Sequence, residues 1–106
     1  MNQINIASAT GLCKLHVRVW EPEGRPKAVL QIVHGMAEHI DRYDDFAGFF
    51  VRNGILVVGA DIASHGKSRE SGGAKGYFGE KDGWSKLVED IRALYRAIKQ
   101  VYDDVP

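Results

Sequence analysis

The sequence predicts an α/β fold built on a mixed sheet, in which an antiparallel hairpin comes first and a parallel βαβ unit follows. Three observations lead to this fold class. Two segments near the N-terminus alternate apolar and polar residues, two short later segments are mainly apolar without clean alternation, and two segments have helical periodicity. The predicted order is therefore β-β-β-α-β-α, with helices covering both faces of the sheet. Ligands bind such sheets at the carboxyl ends of the parallel strands.

The first two strands are predicted at residues 2–7 and 12–20, with a turn containing Gly11 between them. One face of the second strand carries Leu15, Val17 and Val19, and the other carries His16, Arg18 and Trp20. We expect His16 to lie at the surface or at its boundary rather than to bind a metal. Cys13 is the single cysteine, which excludes an intramolecular disulfide and indicates a buried structural thiol in a reducing compartment.

The parallel unit is predicted from the apolar runs at residues 27–33 and 55–60, each typical of a strand covered on both faces. Between them a helix is expected to begin at Asp41 as its N-cap, with Asp44 at the third helical position. It ends at Asn53-Gly54, a pair suited to positive φ. The apolar stripe of this helix comprises Tyr43, Phe46, Ala47 and Phe50.

The last helix is predicted to start near Asp82, after a long glycine-rich loop at residues 61–83. Its apolar positions recur at helical spacing over about five turns. They are Trp84, Leu87, Val88, Ile91, Leu94, Tyr95, Ile98, Val101 and Tyr102.

Composition limits the function classes that fit this chain. Its 106 residues allow at most one domain, and its fourteen basic and fourteen acidic residues are evenly mixed. That balance argues against nucleic acid or anionic lipid as the main partner. The N-terminus lacks the pattern of a signal peptide, and the longest apolar stretch, Ile55 to Val58, is too short to span a bilayer. We therefore expect a cytoplasmic protein without a transmembrane segment.

The segment that carries chemistry is the junction at residues 34–39, where the strand at 27–33 runs into His34-Gly35-Met36-Ala37-Glu38-His39. Many serine hydrolases use a strand followed by His-Gly and a helix to place a backbone N–H that stabilises an oxyanion. Gly35 lets the chain turn sharply, so that the N–H of Met36 can face the site. On residue types alone, an ordinary β-to-α turn remains an alternative.

The nucleophile that accompanies such a loop is missing from this sequence. There is no Gly-x-Ser-x-Gly, and none of Ser68, Ser71 and Ser85 is predicted on a strand-to-helix elbow flanked by glycines. We therefore expect the chain to be the front part of an esterase or lipase, ending before the nucleophile strand. In that interpretation residues 1–106 form a single incomplete domain that is inactive alone.

Several motifs together resemble the α/β-hydrolase family of monoacylglycerol lipases and lysophospholipases. They are His34-Gly35-Met36-Ala37-Glu38-His39, Arg42-Tyr43, Phe46-Ala47, Asn53-Gly54 and Asp61-Ile62-Ala63-Ser64-His65-Gly66-Lys67-Ser68. The last of these is similar to the family's Asp-x-x-Gly-His-Gly-x-Ser loop, except that Ser64 stands where the family usually has Gly. Such a substitution strains or redirects the loop if the position needs positive φ.

The resemblance implies an α/β-hydrolase fold and cleavage of a lipid-like or small carboxylic ester through a Ser-His-Asp triad, with no cofactor and no metal. The N–H of Met36 would be one oxyanion donor. The second donor and all three triad residues would lie downstream of this chain. Residues implied to support the oxyanion loop are His34, Gly35, Ala37, Glu38 and His39. Residues implied to form a structural loop are Asp61, His65, Gly66 and Ser68.

Other interpretations are weighed beside this one. Gly66-Lys67-Ser68 resembles part of a phosphate-binding loop, but Asp61 replaces the first glycine and would repel phosphate. His34 and His39 are spaced one residue too far apart for a helical His-x-x-Glu-His zinc site. A non-catalytic interaction module is the main rival. In the sheet order of the family that the chain resembles, the nucleophile strand pairs with the strand at 27–33, so the resemblance implies that truncation leaves this strand as an open apolar edge. We then expect self-association or binding of a complementary C-terminal segment.

Overall fold

The computed structural model describes residues 2–8, 14–34, 39–61 and 83–106. In chain order its elements are β1 (Asn2–Ala7), β2 (Lys14–Trp20), β3 (Ala28–Ile32), a 3₁₀ turn (Ile40–Tyr43), α1 (Asp44–Arg52), β4 (Ile55–Ala60) and α2 (Gly83–Val101). This order confirms the predicted β-β-β-α-β-α arrangement. Cys13 and most of the predicted loop at 61–83 lie outside the described residues.

The four described strands form one mixed sheet in the order β1-β2-β4-β3. β1 pairs antiparallel with β2, and β2 pairs antiparallel with β4, with Val17 opposite Ala60. β3 pairs parallel with β4, with Ala28 opposite Ile55. The hairpin and the parallel unit are therefore both confirmed. β3 was predicted to be covered on both faces, but each of its residues is only half-buried, because β3 lies at the edge of the described sheet.

Helices cover the two faces of the sheet, as predicted. Against α2 lies a core of Leu15, Val17, Val19, Leu56, Val58 and Leu94. Against α1 and the 3₁₀ turn lies a second core of Trp20, Ile40, Ala47 and Val57. Successive residues of a strand point to opposite faces, so β2 and β4 contribute to both cores.

Burial of β2 differs from the prediction for His16. This side chain was expected at the surface or its boundary, yet His16 is 6% exposed and Arg18 is buried to the same extent. Both lie on the face that also carries Trp20, which α1 and the 3₁₀ turn cover. The covering segments bring the carboxylates Asp41 and Asp44 to this face, so the polar residues are buried with partners rather than in water.

The start of α1 is also different from the prediction. Asp41 was expected as the N-cap, but it lies in the 3₁₀ turn, and α1 begins at Asp44. The Asp41 carboxylate accepts a hydrogen bond from Arg18 Nη1 at 2.9 Å. The end of the helix is as predicted, because Gly54 has φ of +81°.

Both helical stripes are wider than the surface that the sheet covers. In α2, Leu87 and Leu94 are buried, whereas Val88, Tyr95 and Val101 are largely exposed. In α1, Ala47 is buried, but the predicted core residue Phe46 is about half exposed. No helix in the part of the chain that the structure describes is both long enough and apolar enough to cross a membrane.

Candidate functional site

The segment predicted to carry an oxyanion donor runs from the end of β3 to the 3₁₀ turn. Its two end residues are described: His34 is 3% exposed, and His39 is exposed. The residues between them, Gly35, Met36, Ala37 and Glu38, lie outside the described residues, so the role of the Met36 N–H stays a prediction. We call residues 34–39 the 34–39 loop. The structure shows the contacts of the residues that flank its undescribed part.

Asp61 makes one of these contacts. It follows β4 directly, at the carboxyl end of the parallel strands, and is 1% exposed. Its Oδ1 accepts a hydrogen bond of 2.6 Å from the backbone N–H of Ile40, the residue directly after His39. Its own backbone N–H donates to the carbonyl of His16 at 2.9 Å. Asp61 therefore connects β2 and the end of β4 with the end of the 34–39 loop.

A polar cluster lies next to the 3₁₀ turn, and we call it the Arg18 cluster. It comprises Arg18, Trp20, Asp41, Asp44 and His16. Arg18 Nη1 and Nη2 lie 2.9 Å from Asp41 Oδ1 and Asp44 Oδ1, respectively. The Arg18 guanidinium stacks 4.5 Å from the centre of the Trp20 ring, and Trp20 Nε1 donates to Asp44 at 2.8 Å. His16 Nε2 lies 3.9 Å from Asp41 Oδ1.

Electrostatics in the Arg18 cluster favour the charged forms. Burial by itself lowers the pKa of Arg18, but its hydrogen bonds with Asp41 and Asp44 outweigh burial, so the pKa lies above its ordinary value. The hydrogen bond from Trp20, followed by that from Arg18, lowers the pKa of Asp44. Sequence reasoning missed this cluster. The signal was available as polar residues at alternate positions of a strand and carboxylates three apart at the start of a helix.

A largely apolar recess lies between the sheet and α2, and Asp61 is part of its lining. Its polar wall includes Gln31 and a second buried carboxylate, Asp90 of α2, which accepts a hydrogen bond of 2.5 Å from Ser8 Oγ. Asp61 and Asp90 are thus two buried aspartates in similar surroundings, one bonded to the turn after the 34–39 loop and the other to the segment after β1.

Metal and nucleotide binding gain no support from the described ranges. Within residues 2–8, 14–34, 39–61 and 83–106, no group of three or more His, Cys, Asp or Glu side chains is arranged to hold a metal ion. The Asp61 carboxylate, at the start of the phosphate-loop resemblance, bonds to the Ile40 N–H. His65, Gly66 and Ser68 lie outside the described residues.

Comparison with known proteins shows the family. Residues 24–106 match the family described as serine aminopeptidase, S33. The chain belongs to this hydrolase family. The S33 chain is 36% identical over 95 residues to a monoglyceride lipase homolog of Monkeypox virus, covering 87% of the chain and 31% of the relative. It is 34% identical over 92 residues to the monoglyceride lipase of Rattus norvegicus, covering 87% of the chain and 27% of the relative.

Solved structures agree with this family. A thermostable carboxyl esterase from Bacillus coagulans, in complex with glycerol, superposes on the S33 chain with a TM-score of 0.90 at 28% identity, covering 99% of the chain and 34% of the esterase. A lipase in an open form gives 0.91 at 28% identity, with the same coverage. The α/β-hydrolase fold predicted from the sequence is thus confirmed. The S33 chain spans between 27% and 34% of the length of these four proteins.

Proposed function

We propose that these residues are the N-terminal part of a serine hydrolase that cleaves carboxylic esters of the monoacylglycerol or lysophospholipid type. Their contribution to catalysis is one half of the oxyanion hole, from the 34–39 loop. The observation that carries this proposal is the buried hydrogen bond between Asp61 and the N–H of Ile40, which holds the residue after that loop at the carboxyl edge of the sheet, where such folds bind ligands. Similarity to monoglyceride lipases and to a carboxyl esterase favours an ester substrate over a peptide.

The chemistry is acyl transfer. A serine hydroxyl attacks the ester carbonyl while a histidine takes its proton, and the carbonyl oxygen becomes an oxyanion. The N–H of Met36 donates to that oxyanion, together with a second N–H from outside this chain. When the intermediate collapses, the alcohol leaves with a proton from the histidine, and water then releases the acid. Fixed N–H donors act here because they stabilise charge that exists only in the transition state and intermediate.

A fluorophosphonate probe tests the proposal on the protein isolated from its native locus. Intact mass is measured before and after labelling. A mass well above 11.8 kDa that gains a single probe adduct supports the proposal. An unlabelled species of 11.8 kDa contradicts it, because the chain by itself then carries out no serine-dependent chemistry.

Met36 is tested in the same protein, without the label, by a matched pair of variants. Met36→Pro removes the backbone N–H, and we expect it to lower kcat for monoacylglycerol hydrolysis about 100-fold to 1,000-fold. Met36→Leu keeps the N–H and the side-chain size, and should retain most of the activity. Equal activity of the two variants would exclude Met36 as an oxyanion donor. Faster cleavage of an aminoacyl anilide than of a monoacylglycerol would exclude the ester substrate class.

A second candidate function is an interaction module that docks through β3. One observation favours it. The N–H of Val29 donates to the carbonyl of Pro106 at 2.7 Å, so the outer edge of β3 already forms a main-chain hydrogen bond with another segment. Val33 next to β3 and Tyr95 on α2 are both more than half exposed. We propose that a further strand pairs with β3, and that a second copy supplies it when the chain is alone. A clean monomer at high concentration in light scattering contradicts this candidate.

A further inference from the structure

We infer that Asp61 is a positioning residue for the 34–39 loop, acting through the backbone N–H of Ile40. The inference rests on the proposed function, because it assigns Asp61 the task of positioning the loop that carries the proposed oxyanion donor. Asp61 touches no substrate in this assignment. It acts on the loop through the residue that follows it.

The contact is suited to that task by its chemistry. A carboxylate that accepts from a backbone N–H forms a shorter and stronger hydrogen bond than a neutral carbonyl does, and the 2.6 Å separation of Asp61 Oδ1 and Ile40 N is short. Ile40 is completely buried and Asp61 is 1% exposed, so water does not compete for either group. If Asp61 is removed, the Ile40 N–H loses this bond in a place that solvent does not reach.

Gly59 shows that β4 is shaped around Ile40 as well. A Cβ atom at Gly59 would lie 2.3 Å from Ile40 Cδ1 and 2.9 Å from the carbonyl oxygen of Ile32, so no side chain fits there without displacement. Gly59 lies in β4, and Asp61 directly follows the last residue of this strand. One leaves space for the Ile40 side chain, and the other binds the Ile40 N–H.

Buried residues therefore stand at the start of the 34–39 loop and directly after its exposed last residue, His39. His34 is buried at the end that follows β3, and Ile40 is buried and hydrogen-bonded just past the other end. The ends of a short loop restrict the conformations of the residues between them. Displacing a catalytic group by about 1 Å can lower a rate by about 100-fold, so the position of Ile40 matters for a donor at Met36.

The alternative is that Asp61 stabilises the whole fold and has no specific effect on the 34–39 loop. Asp90 supplies the matched control. It is also a buried aspartate beside the same recess, and it accepts a hydrogen bond of 2.5 Å, but its partner is Ser8 Oγ. A general loss of stability follows from removing either carboxylate. A selective effect on Ile40 and Met36 follows only from removing Asp61.

The test is NMR spectroscopy on the same unlabelled protein that is used in the fluorophosphonate experiment. In the wild type we expect a scalar coupling through the hydrogen bond between Ile40 ¹⁵N and Asp61 ¹³Cγ. In Asp61→Ala, the exchange protection of the Ile40 amide relative to that of Val57 should fall about tenfold or more, and the Met36 amide resonance should shift. Asp61→Asn keeps an acceptor oxygen and should restore most of both readouts. Asp90→Ala should lower the protection of Ile40 and Val57 by a common factor and leave the Met36 resonance in place.

Two results would overturn the inference. One is the absence of the coupling in the wild type, a measurement that does not depend on whether any variant folds. The other is an Asp61 variant whose Ile40 and Met36 readouts change no more than those of Asp90→Ala. Neither readout needs catalysis, so a failure here is distinct from a failure of fluorophosphonate labelling.

Discussion

Arg18 on β2 and Asp41 in the 3₁₀ turn are joined by a hydrogen bond of 2.9 Å that crosses from the sheet to the segment after the 34–39 loop. Asp44 at the start of α1 binds the same guanidinium at 2.9 Å. Two successive parts of the chain are thereby tied to a strand that precedes them by more than twenty residues. Arg18 binds Asp41 of the 3₁₀ turn from the middle of the sheet. Asp61 binds Ile40, the residue before Asp41, from the carboxyl edge of the sheet.

Replacing Arg18 should cost a substantial part of the free energy of unfolding. Arg18→Met leaves the two carboxylates without their common cation, and we expect a loss of about 2–3 kcal/mol, below the range for a fully buried pair because both aspartates are partly exposed. Arg18→Lys should recover only part of this, since an ammonium does not reproduce the forked geometry. Urea denaturation measures both. Arg92→Met, at an exposed position of α2, is the control and should lie within about 0.5 kcal/mol of the wild type.

The Asp44 contact predicts how stability depends on pH. Its pKa in the folded chain is below the ordinary value of 3.8, so the folded state binds the proton less tightly than the unfolded state. The stabilisation from Asp44 is therefore complete above that ordinary value and is lost as the pH falls through the lower, folded pKa. Urea midpoints of the wild type and Asp44→Asn should differ by a constant amount near neutral pH and converge in acid. A difference that grows on acidification would contradict this assignment.

Gly59 should not accept even one methyl group. The Cβ atom of Gly59→Ala would meet Ile40 Cδ1 at 2.3 Å and a backbone oxygen at 2.9 Å, and we expect a loss of about 2–3 kcal/mol from the resulting displacement. Gly48→Ala is the matched control within α1, where the nearest atom is the flexible end of Arg52 at 3.3 Å. It should raise stability by about 0.5–1 kcal/mol, because alanine favours helix. The two substitutions should therefore differ in sign in thermal or urea denaturation.

Neighbouring residues of α2 should respond differently to truncation. Leu94 is 2% exposed in the core that joins α2 to the sheet, and Leu94→Ala should lower the free energy of unfolding by about 2–4 kcal/mol. Tyr95 is 55% exposed, and Tyr95→Ala should change it by about 0.5 kcal/mol or less. Similar losses at the two positions in urea denaturation would show that α2 packs through a wider face than the structure has.

The elements of this fold could be read from the sequence because each depends on local pattern. Alternation predicted β2, mainly apolar runs predicted β3 and β4, and helical periodicity predicted α2. The start of a helix was harder to predict from the sequence where a charged residue from a distant part of the chain binds the candidate N-cap. Asp41 has the residue type of an N-cap, yet it lies within the 3₁₀ turn, where its carboxylate binds Arg18. Which side of a wide apolar stripe is buried was also beyond the local pattern, and Phe46 is the example.

The sequence by itself determined the order of the elements, the α/β-hydrolase resemblance and the position of the 34–39 loop, because periodicity and motifs are properties of neighbouring residues. Only the tertiary structure decided that His16 and Arg18 are buried, and that Asp61 binds the N–H of Ile40. Residues 40 and 61 lie on separate elements, and nothing in the local pattern of either segment says that they meet. The pairing of β4 between β2 and β3 brings them together, since the carboxyl ends of parallel strands lie at one edge of a sheet.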